Sequence, residues 1–76
     1  MPHVIIKLFP GRTQEQKQLC TGKIVDALME TMNVDENSIS VIFEEIPREK
    51  WKEEVFKPDI IEKENSLFKK PGYNMD

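Results

Sequence analysis

The chain of 76 residues has little of what cross-links a small protein or binds a metal in it. It contains one cysteine, Cys20, and one histidine, His3. One cysteine cannot form an internal disulfide, and the two residues lack the spacing of a metal-binding motif. We therefore expect neither a disulfide nor a metal site. A free thiol is typical of a reducing compartment, which predicts a cytoplasmic protein.

Long apolar runs and an excess of basic residues are also missing. No segment is apolar over the length that a membrane-spanning helix needs, and the amino end lacks the features of a signal peptide. The formal net charge is −3, which argues against nucleic acid as a partner. The sequence therefore predicts a soluble protein that binds neither membranes nor nucleic acid.

The pattern of the first half predicts a strand followed by a long helix. Residues 4–9 are mostly apolar, and Pro10-Gly11-Arg12 ends the strand. The motif Thr13-Gln14-Glu15-Gln16 fits a capping box, which predicts a helix from Thr13 to about Met32, with Asn33 as its stop. Helical spacing predicts a buried stripe on this helix, made of Cys20, Ile24, Ala27, Leu28 and Met32.

The second half predicts one more strand and a helical end. Residues 39–46 read as the strand, and residues 48–57 as a short helix. Pro58 suits the first turn of a further helix, whose spacing continues to Phe68, and Pro71-Gly72 ends it. The fold class is therefore α+β: a βαβ unit with two parallel strands, one long helix and a helical C-terminal third. Two strands are too few for a stable core, so oligomerisation should complete a single domain over residues 1–76.

Pro2 is the most informative residue for chemistry. The chain begins Met1-Pro2-His3, and a small second residue usually permits removal of Met1. Pro2 would then carry a free secondary amine, and an α-amine has a pKa near ~8, far below that of lysine. Apolar surroundings or a nearby cation favour its neutral form, which can act as a general base. The alternative is that Pro2 only begins a strand, where no ladder donor is needed.

These features together resemble the 4-oxalocrotonate tautomerase family. The residues that carry the likeness are Pro2, Gly11-Arg12, residues 13–17 and 38–45, with Trp51 and residues 69–75 at the carboxyl end. The last third resembles the dimeric, phenylpyruvate tautomerase-like (PptA-like) subgroup. The resemblance implies a single tautomerase domain of the MIF type. It also implies a homodimer, with a homohexamer less favoured because the last third is helical and not a hairpin.

The resemblance also implies an activity. It predicts a cofactor-independent isomerase that interconverts the enol and keto forms of a small 2-oxo acid, with Pro2 as general base. Arg12 matches the family's substrate-binding arginine, and its fork suits a carboxylate. Trp51 matches an aromatic residue that walls the pocket. The alternatives are that Arg12 is merely exposed and that Trp51 packs in the core or at an interface.

One position departs from the family pattern. Hexameric members carry an arginine on the second strand where this chain has Ser40. A hydroxyl cannot replace a guanidinium, so a monoacid such as phenylenolpyruvate fits better than a diacid. The enolate oxygen would then be stabilised by a backbone N–H, Ser40, His3 or water.

Two other functions stay open at this point. The Pro2 amine could act as a nucleophile and form an imine with a carbonyl substrate. Alternatively, the chain could be a non-catalytic dimeric interaction module that kept the scaffold and lost the chemistry. A role for Lys69 and Lys70 in attracting anions is a further open hypothesis.

Overall fold

The computed structural model describes residues 1–75, and its two strands form one small parallel sheet. The elements are β1 (His3–Leu8), α1 (Gln14–Met32), β2 (Ser40–Glu45) and α2 (Arg48–Trp51), and α2 continues directly into a π-helix (Lys52–Ile61). We call the continuous segment 48–61 the second helix. β1 pairs with β2 from His3 opposite Ser40 to Leu8 opposite Glu45. Parallel strands need a crossover connection, and α1 provides it, so β1, α1 and β2 form a βαβ unit. The predicted α+β class is confirmed.

Both ends of α1 follow from local sequence. The Gln16 N–H donates to Thr13 Oγ1 at 3.1 Å, and the Thr13 N–H donates to Gln16 Oε1 at 2.9 Å. This reciprocal pair satisfies two backbone donors that a helix start would leave unpaired. Asn33 ends the helix in the left-handed conformation, at φ 54° and ψ 48°. The predicted helix and both of its caps are confirmed.

The predicted buried stripe of α1 is wrong for the single chain. Cys20, Ala27 and Met32 are exposed, and Ile24 and Leu28 are only half-buried. A two-stranded sheet is too narrow to cover a helix of 19 residues, so the apolar stripe stays accessible. Among residues 1–75, no helix combines the length and the apolar character needed to cross a bilayer.

The two helices lie on opposite faces of the sheet. Lys17 of α1 forms an ion pair with Glu45 at 2.9 Å, whereas Lys7 of β1 forms one with Asp59 of the second helix at 2.6 Å. Side chains alternate along a strand, so neighbouring positions such as Glu44 and Glu45 face different helices. The buried residues Val55 and Phe56 both belong to the second helix.

The last third differs from the sequence prediction. Pro58 lies inside the π-helix and does not begin a new helix, and the π-helix ends at Ile61. The Glu62 N–H bonds to the Lys57 carbonyl five residues back, which is the wider spacing of a π-turn. Phe68, predicted to be helical, is fully exposed and lies outside any helix. Proline was interpreted as a helix start, but here the helix passes through it.

The ion pair between Lys7 and Asp59 predicts a pH-dependent contribution to stability. The side-chain hydrogen bond to Asp59 raises the pKa of Lys7 above 10.5. A raised folded-state pKa stabilises the fold below pH 10.5, and this contribution disappears as the pH rises through the higher folded value. We expect D59N to lower the free energy of unfolding by about 0.5–1 kcal/mol at neutral pH. At a pH high enough for Lys7 to lose its proton, the same substitution should no longer lower it.

Urea unfolding at one chain concentration and several pH values measures this difference. Glu62→Gln is the matched control, because Glu62 is exposed and forms no ion pair within residues 1–75. A D59N variant as stable as the E62Q variant at neutral pH would contradict the prediction.

Candidate active site

Pro2 lies at the amino end of β1 and is half-buried. Its carbonyl accepts a hydrogen bond from the Ser40 N–H at 3.2 Å, which holds the first residues of the chain against β2. Met1 is fully exposed, so its removal would take away no packing. The fold therefore presents Pro2 at the edge of the sheet with its position fixed from the carbonyl side.

His3 and Ser40 form a pair beside Pro2. They are opposite each other in the strand register, and His3 Nδ1 lies 2.6 Å from Ser40 Oγ. Which of the two atoms donates depends on the imidazole tautomer. Both residues are exposed. The two sequence-predicted polar residues therefore contact each other and stand at the same end of the sheet as Pro2.

An aromatic cluster occupies the opposite end of β1. The rings of Phe9 and Trp51 meet edge to face, with centroids 5.0 Å apart. The guanidinium carbon of Arg48 lies 4.9 Å from the Phe9 ring centroid, within the range of a cation–π contact. Phe9 comes directly after β1, and Arg48 and Trp51 are the first and last residues of α2.

The carboxyl-terminal segment returns to this cluster. The Trp51 Nε1–H donates to the Tyr73 hydroxyl at 3.0 Å, and the Tyr73 ring lies 5.6 Å from the Phe56 ring. The last residues are therefore docked on the second helix. They bring one more aromatic side chain to the end of the sheet opposite Pro2.

The aromatic cluster surrounds a cavity of about 400 Å³. Its lining consists of residues 7–9, Arg48, Trp51, Tyr73 and Met75. Most of these side chains are apolar, and the charged residues among them, Lys7 and Arg48, are cationic. Lys7 is already engaged by Asp59 at 2.6 Å. A cavity with apolar walls and a few cationic groups fits a small ligand that has an apolar body and one anionic group.

Arg12 stands between β1 and α1 and is exposed. It follows Gly11, whose φ of 127° is a conformation that L side chains rarely adopt, and it precedes the cap residue Thr13. Within residues 1–75 its guanidinium makes neither an ion pair nor a hydrogen bond. The side chain is available to a ligand or to another copy of the chain.

The sequence-predicted site residues fall into two groups in one chain. Pro2, His3 and Ser40 are at one end of the sheet, and Trp51 is at the other, with Arg12 just beyond β1. A strand rises about 3.3 Å per residue, so the Cα atoms of Pro2 and Phe9 are roughly 23 Å apart. A small substrate cannot touch both groups within one chain.

Of the cavity residues, the sequence predicted a pocket role for Trp51, whereas it indicated no role for Phe9, Arg48 or Tyr73. The signal for Tyr73 was present in the Pro-Gly-Tyr ending that supported the subgroup. No local pattern pointed to Arg48, because its contact with Phe9 joins residues 39 positions apart in the chain. Among residues 1–75, no group of three or more metal-ligating side chains forms.

Comparison with known proteins defines the class of the chain. A family model described as "Tautomerase enzyme" matches residues 2–55, which is more than half of the chain. "Tautomerase PptA" of Enterobacter sp. (strain 638) is 38% identical over 76 residues, covering 99% of this chain and 100% of the relative. The chain therefore belongs to the tautomerase family, and the predicted resemblance is confirmed.

Solved structures agree with this assignment. A 4-oxalocrotonate tautomerase isozyme from Methylibium petroleiphilum superposes with a TM-score of 0.61 at 29% identity, covering 63% of this chain and 75% of that one. TomN, a 4-oxalocrotonate tautomerase homologue of the tomaymycin biosynthetic pathway, gives 0.63 at 25% identity, covering 84% and 95%. Membership of this family supports a tautomerase activity for the chain.

The docking of Tyr73 can be tested by two substitutions. Y73F keeps the ring on Phe56 but removes the acceptor of the Trp51 N–H, so we expect the free energy of unfolding to fall by about 0.5–1 kcal/mol. Y73A also removes the ring contact, so its loss should be larger. Urea unfolding followed by the fluorescence of Trp51, the single tryptophan, measures both. F68A is the control, since Phe68 is fully exposed, and two Tyr73 variants as stable as F68A would contradict the docking.

Proposed function

We propose that this chain is a cofactor-independent tautomerase that interconverts the enol and keto forms of a small 2-oxo acid. Its general base is the amine of Pro2, which is free after removal of Met1. The observation that carries the proposal is the family match, which begins at residue 2 and includes the strand that holds Pro2. The exposed thiol of Cys20 is compatible with a reducing cytoplasm, where we place the enzyme.

The chemistry needs one base and groups that bind an acid. The neutral Pro2 amine takes the proton from the enol hydroxyl or from the carbon next to the carbonyl. Its protonated form then returns the proton to the other atom, which completes a keto–enol exchange. Arg12 holds the substrate carboxylate with its planar fork, and Trp51 forms a wall for the apolar part. Ser40, supported by His3 at 2.6 Å, is the proposed donor to the enolate oxygen.

We propose that two copies of the chain complete the site. β1 is paired on one edge only within residues 1–75, and an unpaired edge is a template for another strand. Antiparallel pairing of β1 with β1 of a second copy brings Pro2 of one copy beside the Leu8–Phe9 end of the other. A two-fold axis makes both sites equivalent. The exposed apolar side chains of Ile5 and Ile42 also favour association.

A homodimer of single-domain chains over residues 1–76 fits this arrangement better than a homohexamer. The second helix covers part of the sheet face opposite α1, as the Lys7–Asp59 ion pair indicates, although Ile5 and Ile42 on that face stay exposed. That face is therefore less available for stacking dimers on one another. The accessible apolar stripe of α1 stays open to contacts in either assembly.

Ketonisation of phenylenolpyruvate, followed by ultraviolet absorbance, tests the proposed base. We expect P2A, with its amino terminus confirmed by mass, to lower kcat by about 100-fold or more, because it replaces a secondary amine held by its own ring. Arg12→Gln should mainly raise KM, since it removes a contact to the carboxylate. A native protein that lacks Met1 and shows no rate above buffer would contradict the proposal and favour the interaction module. Borohydride trapping with an aldehyde would instead indicate an imine-forming enzyme.

Mixing two variants tests whether the site is shared between copies. In a heterodimer of P2A and R12Q chains, one site keeps both Pro2 and Arg12 and the other has neither. If the two residues come from different copies, refolding an equal mixture restores about a quarter of wild-type activity, because half of the dimers are mixed and each has one intact site. The assay uses substrate below KM, where both parent variants are weak. No gain over the unmixed variants would contradict a shared site.

A further inference from the structure

We propose that Arg48 is a second anion-binding residue of this site, which binds the acid group of ligands with an aromatic body. In this assignment the exposed Arg48 binds the acid group of a ligand that lies in the cavity it shares with residues 7–9, Trp51 and Tyr73. The role of Arg48 in substrate binding rests on the proposed function, but its binding of an acid can be tested without turnover.

The position of Arg48 is set by two neighbouring elements. It is the first residue of α2, directly after Pro47, and its guanidinium carbon lies 4.9 Å from the Phe9 ring centroid. A guanidinium that lies on an aromatic face keeps its N–H groups in the plane free to donate at the edges. Contact with Phe9 therefore orients the fork of Arg48 without using its hydrogen-bond donors.

Arg48 has unused binding capacity, in contrast to the other cation of the cavity. Lys7 lines the same cavity, but its ammonium is bound to Asp59 at 2.6 Å. Within residues 1–75, Arg48 makes no ion pair and no hydrogen bond. No acidic side chain lines the cavity within that part of the chain. An anion that enters therefore meets one guanidinium that has no counter-ion among residues 1–75.

The walls of the cavity determine what else the ligand must carry. Leu8, Phe9, Trp51 and Tyr73 offer apolar and aromatic surface around a volume of about 400 Å³. An aromatic ring can stack or pack edge to face on such walls, and a carboxylate matches the guanidinium fork. The chemistry that fits both features is a small aryl acid.

Binding of an unreactive probe tests the proposal. 3-Phenylpropionate has the aromatic ring and the carboxylate but no 2-oxo group, so it cannot tautomerise. 3-Phenylpropanamide has nearly the same shape without the charge. Titration calorimetry, with Trp51 fluorescence as a second readout, gives the dissociation constants of both probes.

The variants are R48Q and, as matched control, K50Q. Lys50 lies in the same short helix, is exposed, and does not line the cavity, so K50Q makes the same charge change elsewhere. We expect R48Q to weaken binding of the acid by about tenfold or more and to leave the amide unchanged, as loss of a charge-assisted pair requires. R48K, which keeps the charge but loses the fork, should fall between wild type and R48Q. K50Q should change neither probe.

Three results would overturn the assignment. The first is equal weakening of acid binding by R48Q and K50Q, which would mean that Arg48 contributes only to the overall charge of the protein. The second is equal weakening of acid and amide by R48Q, which would mean that Arg48 only supports the packing of Phe9. The third is the absence of saturable acid binding by the native protein. The probe cannot tautomerise, so acid binding that depends on Arg48 supports this proposal even if no tautomerase activity is found.

Discussion

Parallel pairing of β1 with β2 is the interaction on which the rest of the structure depends. It holds Pro2 through the Ser40 N–H at one end and carries Phe9 into the aromatic cluster at the other. Yet two strands of six residues are too few to cover a long helix and a second helix on opposite faces. The apolar stripe of α1 and the exposed Ile5 and Ile42 are the result. The surface that one chain leaves uncovered is what a second chain can cover.

The carboxyl end of β1 is organised by aromatic contacts in addition to the backbone ladder, which reaches Leu8. Phe9 contacts Trp51 edge to face and Arg48 through its ring face, and Trp51 donates to Tyr73. Each contact joins a different segment, so the strand, the second helix and the carboxyl-terminal residues meet at one cavity. The two cations that line the cavity differ in their pairing. Asp59 forms an ion pair with Lys7, whereas no acidic side chain within residues 1–75 pairs with Arg48.

Separation of the site residues is a direct consequence of strand geometry. A strand long enough to pair across six residues places its first and last residues too far apart for one small ligand. The proposed base at the amino end and the cavity at the carboxyl end can cooperate only across copies. The geometry that leaves the single chain with an incomplete core therefore also leaves it with an incomplete site, and pairing through β1 would complete both.

The amino-acid sequence by itself determined the features that depend on near neighbours. The capping pair of Thr13 and Gln16, together with Asn33, predicted the long helix and both of its ends. The alternation of the strands predicted the βαβ order. These signals act over a few residues. Pro2, the first strand, Gly11-Arg12 and the capped helix were together enough to recognise the family. The tertiary structure alone decided the features that join distant residues. The passage of the second helix through Pro58, the docking of Tyr73 on Trp51 and the place of Arg48 over Phe9 depend on packing between segments. Local propensity carries no information about such contacts, since their energy exists only once the segments have met.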